Sequence, residues 1–189
     1  MELHRATLEG VVVLVPRRFA DERGYFSETW NQKLLQDAGI DCQFVQDNQS
    51  FSRHPGTIRG LHYQSPPHAQ SKLVRVSKGS IVDVAVDVRR GSPTYGRWVS
   101  EIISAENGRQ LLVPKGFLHG FATLEPDCEV IYKVTEHYAQ ECDGTVRFDD
   151  PDLNIDWQLG TNKPVLSNKD ANAGLFADFQ SPFVFEQQQ

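Results

Sequence analysis

Gly108-Arg109-Gln110-Leu111-Leu112-Val113-Pro114-Lys115-Gly116-Phe117-Leu118-His119 is the stretch on which the fold turns. An apolar run meets a Pro/Gly break and resumes, so the segment spells strand, tight turn, strand, with His119 opening the second strand. Short Val-, Ile- and aromatic-rich runs of the same kind recur on both sides, separated by Gly, Pro, Asn and Asp clusters, which is the rhythm of an all-β sandwich or barrel. The strands are expected at Val11 to Val15, Tyr25 to Thr29, Phe44 to Ser52, Thr57 to Tyr63 and Leu73 to Lys78. Others follow at Ser80 to Val88, Arg97 to Ile103, Gln110 to Val113, His119 to Thr123 and Glu129 to Thr135. Alternation is clearest in Ser80 to Val88: Val82, Val84, Val86 and Val88 share one face, Asp83, Ala85 and Asp87 the other.

Helices are few. One is expected over Asn31 to Ala38, with Asn31 as cap, Leu34, Leu35 and Ala38 on one stripe and Gly39 as terminator. A second, short one is expected near Asp170 to Phe176. Both should pack outside a single β domain spanning residues 1–189, because the chain of 189 residues shows no repeat and no linker. The Gln187 to Gln189 tail is expected to be disordered.

The longest purely apolar run, Val11 to Val15, is far below the roughly 20 residues that cross a bilayer. The N-terminus has no apolar core of a signal peptide, so a cytoplasmic protein is expected. Three cysteines, Cys42, Cys128 and Cys142, with no C-x-x-C spacing read as free thiols. A net charge of −6 argues against nucleic acid or a membrane as partner and leaves small molecules or proteins.

The spacing G-x5-P-x-G-x2-H in the opening stretch resembles the second motif of the cupin superfamily, which places His119 in a barrel mouth. Alone, His119 also fits a satisfied core histidine. The first cupin motif supplies H-x-H and a Glu as metal ligands, whereas here Gly60-Leu61-His62-Tyr63-Gln64 is followed by Lys72. Gln64 stands where a second His would be, and a cation replaces a donor, so no metal is expected and a histidine is released for acid/base work.

Further segments extend the likeness: Arg59 to Gln64, Pro66 to Arg75, Asp21-Glu22-Arg23-Gly24-Tyr25-Phe26-Ser27-Glu28, Phe44-Val45-Gln46-Asp47-Asn48, and Ile131-Tyr132-Lys133 followed by Tyr138. Together they closely resemble the dTDP-4-dehydrorhamnose 3,5-epimerase family, from about residue 10 to Lys169-Asp170. The resemblance implies an all-β cupin barrel of jelly-roll type with short peripheral helices, acting on a dTDP-4-keto-6-deoxy sugar without a cofactor. A C4 ketone acidifies C3–H and C5–H, so inverting those carbons needs a base on one face, an acid on the other, and a donor or cation at O4.

His62 suits the base, because a neutral imidazole accepts a proton near pH 7. Tyr132 suits the opposite acid and Lys72 the partner of O4; the family likeness gives His62 and Tyr132 these roles. It also pairs Asp170 with His62, expected through Nδ1–H so that Nε2 faces the sugar; alone, Asp170 reads as a helix cap. Arg23, Arg59 and Lys169 match contacts to the diphosphate or sugar, Glu28, Gln46, Asp47 and Asn48 match polar contacts, and Tyr138, helped by Phe26, matches the ring that stacks on thymine.

In that family the residues around Arg23 and Glu28 reach the site of a neighbouring subunit, implying a homodimer with exchanged N-terminal strands. One departure is visible: Asp143-Gly144 stands where the family has Glu-Gly, and the shorter side chain shortens a substrate contact. Rival readings are a C3-only or C5-only epimerase, a metal cupin, and a silent nucleotide-sugar binder. Finally, Arg59 and His62 would point to opposite faces of a regular strand, so a bulge is expected at Gly60.

Overall fold

The computed structural model describes residues 1–186; the Gln187–Gln189 tail, expected to be disordered, lies outside the described residues. The first strands are β1 (Glu2–Arg5), β2 (Val12–Val15), β3 (Arg18–Asp21), β4 (Gly24–Ser27), β5 (Gln46–Ser52), β6 (Ile58–Gln64) and β7 (Lys72–Lys78). They continue as β8 (Ser80–Asp87), β9 (Trp98–Ser104), β10 (Gln110–Val113), β11 (Phe117–Thr123), β12 (Cys128–Val134) and β13 (Asp143–Thr145). Two short α-helices, α1 (Gln32–Asp37) and α2 (Asn168–Ala171), complete the regular structure with two single 3₁₀ turns. Polar, exposed β1 and β3 and three-residue β13 carry no alternation, and the sequence reading missed them.

Two antiparallel sheets build an all-β jelly-roll-type fold. One has the order β1-β2-β10-β7-β12-β5, the other β13-β6-β11-β8-β9, and β3-β4 forms a separate hairpin. The expected barrel is thus a flattened one, two stacked sheets rather than a single closed ring. Strand β8 keeps the expected alternation but is buried over its whole length, because both of its faces are covered.

Between the sheets lie Val74, Val76 and Val130 from one side and Ile81, Ile103 and Phe121 from the other. Val82, Val84, Val86 and Val88 point outward, where Val146, Phe148, Leu153, Trp157 and Phe183 of the C-terminal segment cover them. Each fully buried Val or Leu there contributes about 1.5–3 kcal/mol relative to exposure. The segment is further tied down by bridges at Thr57↔Val165 and Val146↔Gly174.

Helix α1 packs on the outside of the six-stranded sheet, as expected, with Asn31 capping it by accepting from the Leu34 amide. Only Leu35 enters the core there, against Leu14, Leu73 and Leu112; Leu34 is 42% exposed, so the expected three-residue stripe narrows to one anchor on so short a helix. The second helix begins earlier than expected, at Asn168, and a 3₁₀ turn at Phe176–Asp178 takes the place of its predicted end.

Candidate active site

A cavity of about 380 Å³ opens between the two sheets, bounded by Arg59, His62, Lys72, His119, Tyr132 and Asp170. It adjoins a second hollow of about 240 Å³ bordered by Gln46, Asn48, Tyr138 and Asp143, and His62, Lys72, Tyr132 and Lys169 line both. A larger hollow of about 730 Å³ lies apart from these, beside Arg5, Cys42 and Arg89. It lacks convergent chemistry: the Arg89 guanidinium is already committed to Asp87 at 2.8 Å.

Strand β6 reaches the cavity twice because it is irregular. Arg59 pairs with Phe121 and His62 with His119, so three steps along β6 face two along β11. This is the expected bulge, and it turns Arg59 and His62 into the same space. Gly60 makes it possible: its φ is +136°, and a Cβ there would lie 2.6 Å from the Gly120 Cα.

His62 Nε2 lies 2.6 Å from Asp170 Oδ1. The dyad forms, but through the other ring nitrogen than expected. Asp170 sits on α2 beyond the far end of the ring, so the distal Nε2, not Nδ1, meets the carboxylate. Nor does Asp170 cap α2: Ser167 is the cap, its Oγ accepting from the Asp170 amide and donating to Asp170 Oδ2 at 2.9 Å. The carboxylate is 3% exposed. Burial pushes it up, but the hydrogen bonds from His62 and Ser167 outweigh that, and it is held below the usual carboxylate range.

Tyr132 and Lys72 belong to the opposite sheet. Across the β12–β7 ladder Tyr132 faces Val74 and Val134 faces Lys72, which puts both polar side chains on the inner surface. Burial raises the Tyr132 phenol, with Asp143 adding to the effect. Burial also lowers the Lys72 ammonium to about 8, opposed by Asp143 and Asp83. On β5, Asn48 faces Tyr132 and Gln46 faces Val134, so both share that inner surface.

His119 is both things its sequence allowed: buried at 6% exposure and a cavity wall. Its Nε2 lies 2.6 Å from Asp83 Oδ1, while Asp83 Oδ2 has no hydrogen-bond partner among the described residues. The sequence reading missed Asp83, although an acid set between the valines of a largely apolar strand was the available signal. It also missed Ser167, for which the Ser-x-x-Asp spacing of a helix start was the signal.

At the rim, Asp143 Oδ2 accepts from Lys169 Nζ at 2.5 Å and from the Tyr138 hydroxyl at 3.1 Å. The shortened acid therefore still joins the wall. Arg59 donates to Phe51 O at 3.0 Å. Asp47 is not brought in: it alternates with Gln46 and Asn48, faces outward and pairs with Lys133 at 2.7 Å. Arg23, Phe26 and Glu28 also stay away from the cavity of their own chain. Arg23 pairs with Asp21, Phe26 is 70% exposed and Glu28 accepts from Asn31.

Among the described residues, no group of three or more His, Cys, Asp or Glu is gathered as a metal ion would need. The donor set is spent elsewhere. His62 and His119 each hold a carboxylate, and the Gln64 amide is bound to backbone groups.

The sequence pattern of the family described as dTDP-4-dehydrorhamnose 3,5-epimerase matches residues 5–178. The dTDP-4-dehydrorhamnose 3,5-epimerase of Sinorhizobium fredii is 49% identical over 185 residues, covering 98% of this chain and 94% of that one. The enzyme of the same name from Pseudomonas aeruginosa is 48% identical over 179 residues, covering 94% and 97%. The crystal structure of a Legionella pneumophila dTDP-6-deoxy-D-glucose-3,5-epimerase in complex with dTDP-4-keto-L-rhamnose superposes with a TM-score of 0.92 at 42% identity. That match covers 100% of this chain and 99% of the other.

Proposed function

The chain belongs to the dTDP-4-dehydrorhamnose 3,5-epimerase family, and from that premise we propose how its residues carry the reaction. It is an isomerase that epimerises dTDP-4-dehydro-6-deoxy-D-glucose at C3 and C5 to dTDP-4-dehydro-L-rhamnose, a step of dTDP-rhamnose synthesis. The observation that carries the mechanism is that His62 and Tyr132 line one cavity from opposite sheets. A flat enolate held between them is reached by a base on one side and an acid on the other.

In this mechanism Nδ1 of His62 removes the proton from C3 or C5, and the electron pair passes into the C4–O4 enolate. The Lys72 ammonium holds the negative charge on O4, with the His119–Asp83 pair beside it. Tyr132 then protonates the carbon from the opposite side, inverting it. Each inversion leaves His62 protonated and Tyr132 ionised, and exchange with water resets both. Asp170 steadies the imidazolium. Arg59 and Lys169 take the diphosphate end, Gln46, Asn48 and Asp143 the polar groups, and Tyr138 stacks on the thymine.

The site is completed by a second copy. Arg23, Phe26 and Glu28 stand on or beside a hairpin whose Phe19, Tyr25 and Phe26 are all more than half exposed, which supports a homodimer with exchanged N-terminal strands. Residues 1–189 act as one domain, since the cavity draws on both sheets and on α2. Free Cys42, Cys128 and Cys142 suit a reducing cytoplasm, and no helix is long and apolar enough to cross a membrane. The reaction needs neither metal nor cofactor, because a ketone already acidifies the carbons and Lys72 occupies the place of a metal-ligating acid. Full inactivation by a chelator, reversed by a divalent ion, would overturn that.

Turnover in heavy water tests the whole reading. Product should carry deuterium at both C3 and C5, read by NMR. Label at one carbon only would make the chain a mono-epimerase.

A further inference from the structure

Gln64 is buried at 5% exposure, and its side chain is saturated with backbone bonds. Its amide nitrogen donates to the carbonyls of His68 at 2.5 Å and His137 at 2.9 Å, and its amide oxygen accepts from the Ala139 N–H at 3.0 Å. The last two partners are the residues on either side of Tyr138. One side chain therefore grips the chain immediately before and after that ring.

Two further contacts complete the hold. The Tyr138 amide donates to Gln46 Oε1 at 3.3 Å, and its hydroxyl donates to Asp143, which is the residue paired with Gln64 across the β6–β13 ladder. Tyr138 itself is 59% exposed. A loop pinned on both sides of an exposed ring has lost its conformational freedom before any ligand arrives, so a base that covers the ring does not bear that cost.

We infer that Gln64 is a positioning residue for nucleotide recognition: it fixes the loop at residues 137–139 so that the Tyr138 ring is held ready for a planar base. Only an amide does this. Two carbonyl oxygens need donors and one N–H needs an acceptor, so a carboxylate would set oxygen against oxygen, and an imidazole would offer too few groups. The position that a metal-binding cupin gives to a ligand is here converted into a loop clamp. The inference rests on the reading of Tyr138 as the base-stacking residue.

The test uses dTDP binding by calorimetry on the full chain, with circular dichroism to establish folding. Gln64→Glu should weaken dTDP binding about tenfold, part of the loss expected from removing the ring itself. The effect should fall on KM rather than kcat. In a Tyr138→Ala background the same substitution should add nothing, because the clamp then has no ring to place. If Gln64→Glu does not fold, Gln64→Asn, too short to reach both carbonyls, is read in the same way. A folded variant with wild-type affinity, or a penalty that persists without the Tyr138 ring, would overturn the inference while leaving the stacking role intact. Wild-type affinity in Tyr138→Ala alone would overturn the stacking role and the clamp with it.

Discussion

Asp170 and His62 stand 108 positions apart in sequence, yet Oδ1 and Nε2 meet at 2.6 Å, and the other carboxylate oxygen is held by Ser167. The pair should act as one unit. Asp170→Asn should lower kcat and kcat/KM together by roughly 10²–10⁴-fold, since the lost interaction strengthens only as the imidazolium forms. dTDP affinity and the circular dichroism spectrum should barely change. His62→Ala should be at least as damaging, and the double variant little worse than His62→Ala. A well-folded Asp170→Asn enzyme with wild-type kcat would refute the dyad.

Lys72 should set an upper pH limit. Its ammonium, lowered by burial to about 8, is charged at pH 7 and is lost as pH rises through that value, so kcat should fall on the alkaline side. Loss of this proton does not itself destabilise the fold. A lysine whose folded value lies below its ordinary 10.5 disfavours the protonated folded state, so raising pH between the two values increases this group's contribution to stability. Lys72→Met should cost about 10²–10³-fold in kcat. Lys72→Arg, which stays charged, should remove the alkaline limb from whatever activity it retains; an unchanged limb would assign it to another group.

Tyr138→Ala should weaken dTDP binding by about 1–3 kcal/mol, the usual worth of a base stacked on an aromatic ring. Titration calorimetry reads it directly. An unaltered dissociation constant would remove Tyr138 from the site.

Gly60→Ala should be damaging without touching any catalytic group. The added methyl meets the Gly120 Cα at 2.6 Å in a backbone region that L-residues avoid, at a cost of about 1–3 kcal/mol or more. Urea denaturation should show an earlier midpoint. A midpoint equal to wild type would mean that the bulge does not depend on glycine.

If Arg23 serves the neighbouring copy, two dead variants should rescue each other. Mixing Arg23→Ala with His62→Ala subunits and letting them re-associate gives mixed dimers with one intact site, so activity should recover to about a quarter of wild type. No recovery in a mixture shown by mass spectrometry to contain mixed dimers would place Arg23 outside the shared site.

Much of this architecture was legible from alternation and punctuation. Ser80 to Val88 announced a strand, and Gly60 announced its bulge because two residues needed on one face were an odd number apart. What stayed hidden depended on tertiary closure. Without the family likeness, Asp170 read only as a helix cap, because the spacing does not show α2 lying over the ring of His62. Which imidazole nitrogen it met followed from the reach of the side chain, a distance no spacing encodes. Asp47 was grouped with Gln46 and Asn48 as one motif, but the two-residue period of β5 sends it to the other surface. Ser167 and Asp83 act through residues that were recognised, and such supporting groups carry only local signals.

The C-terminal segment that covers β8 also delivers Asp170, and this has a consequence for how the molecule is made. A nascent chain leaving the ribosome has nearly every strand and His62, Lys72 and Tyr132 in hand well before residue 170 appears. Until the final stretch wraps across the outer valines, His62 has no carboxylate beside it and the outer face of β8 stays wet. Catalysis should thereby be withheld from incomplete chains, and a nick between residues 150 and 165 should silence the enzyme by loosening Asp170 together with Lys169 of the rim.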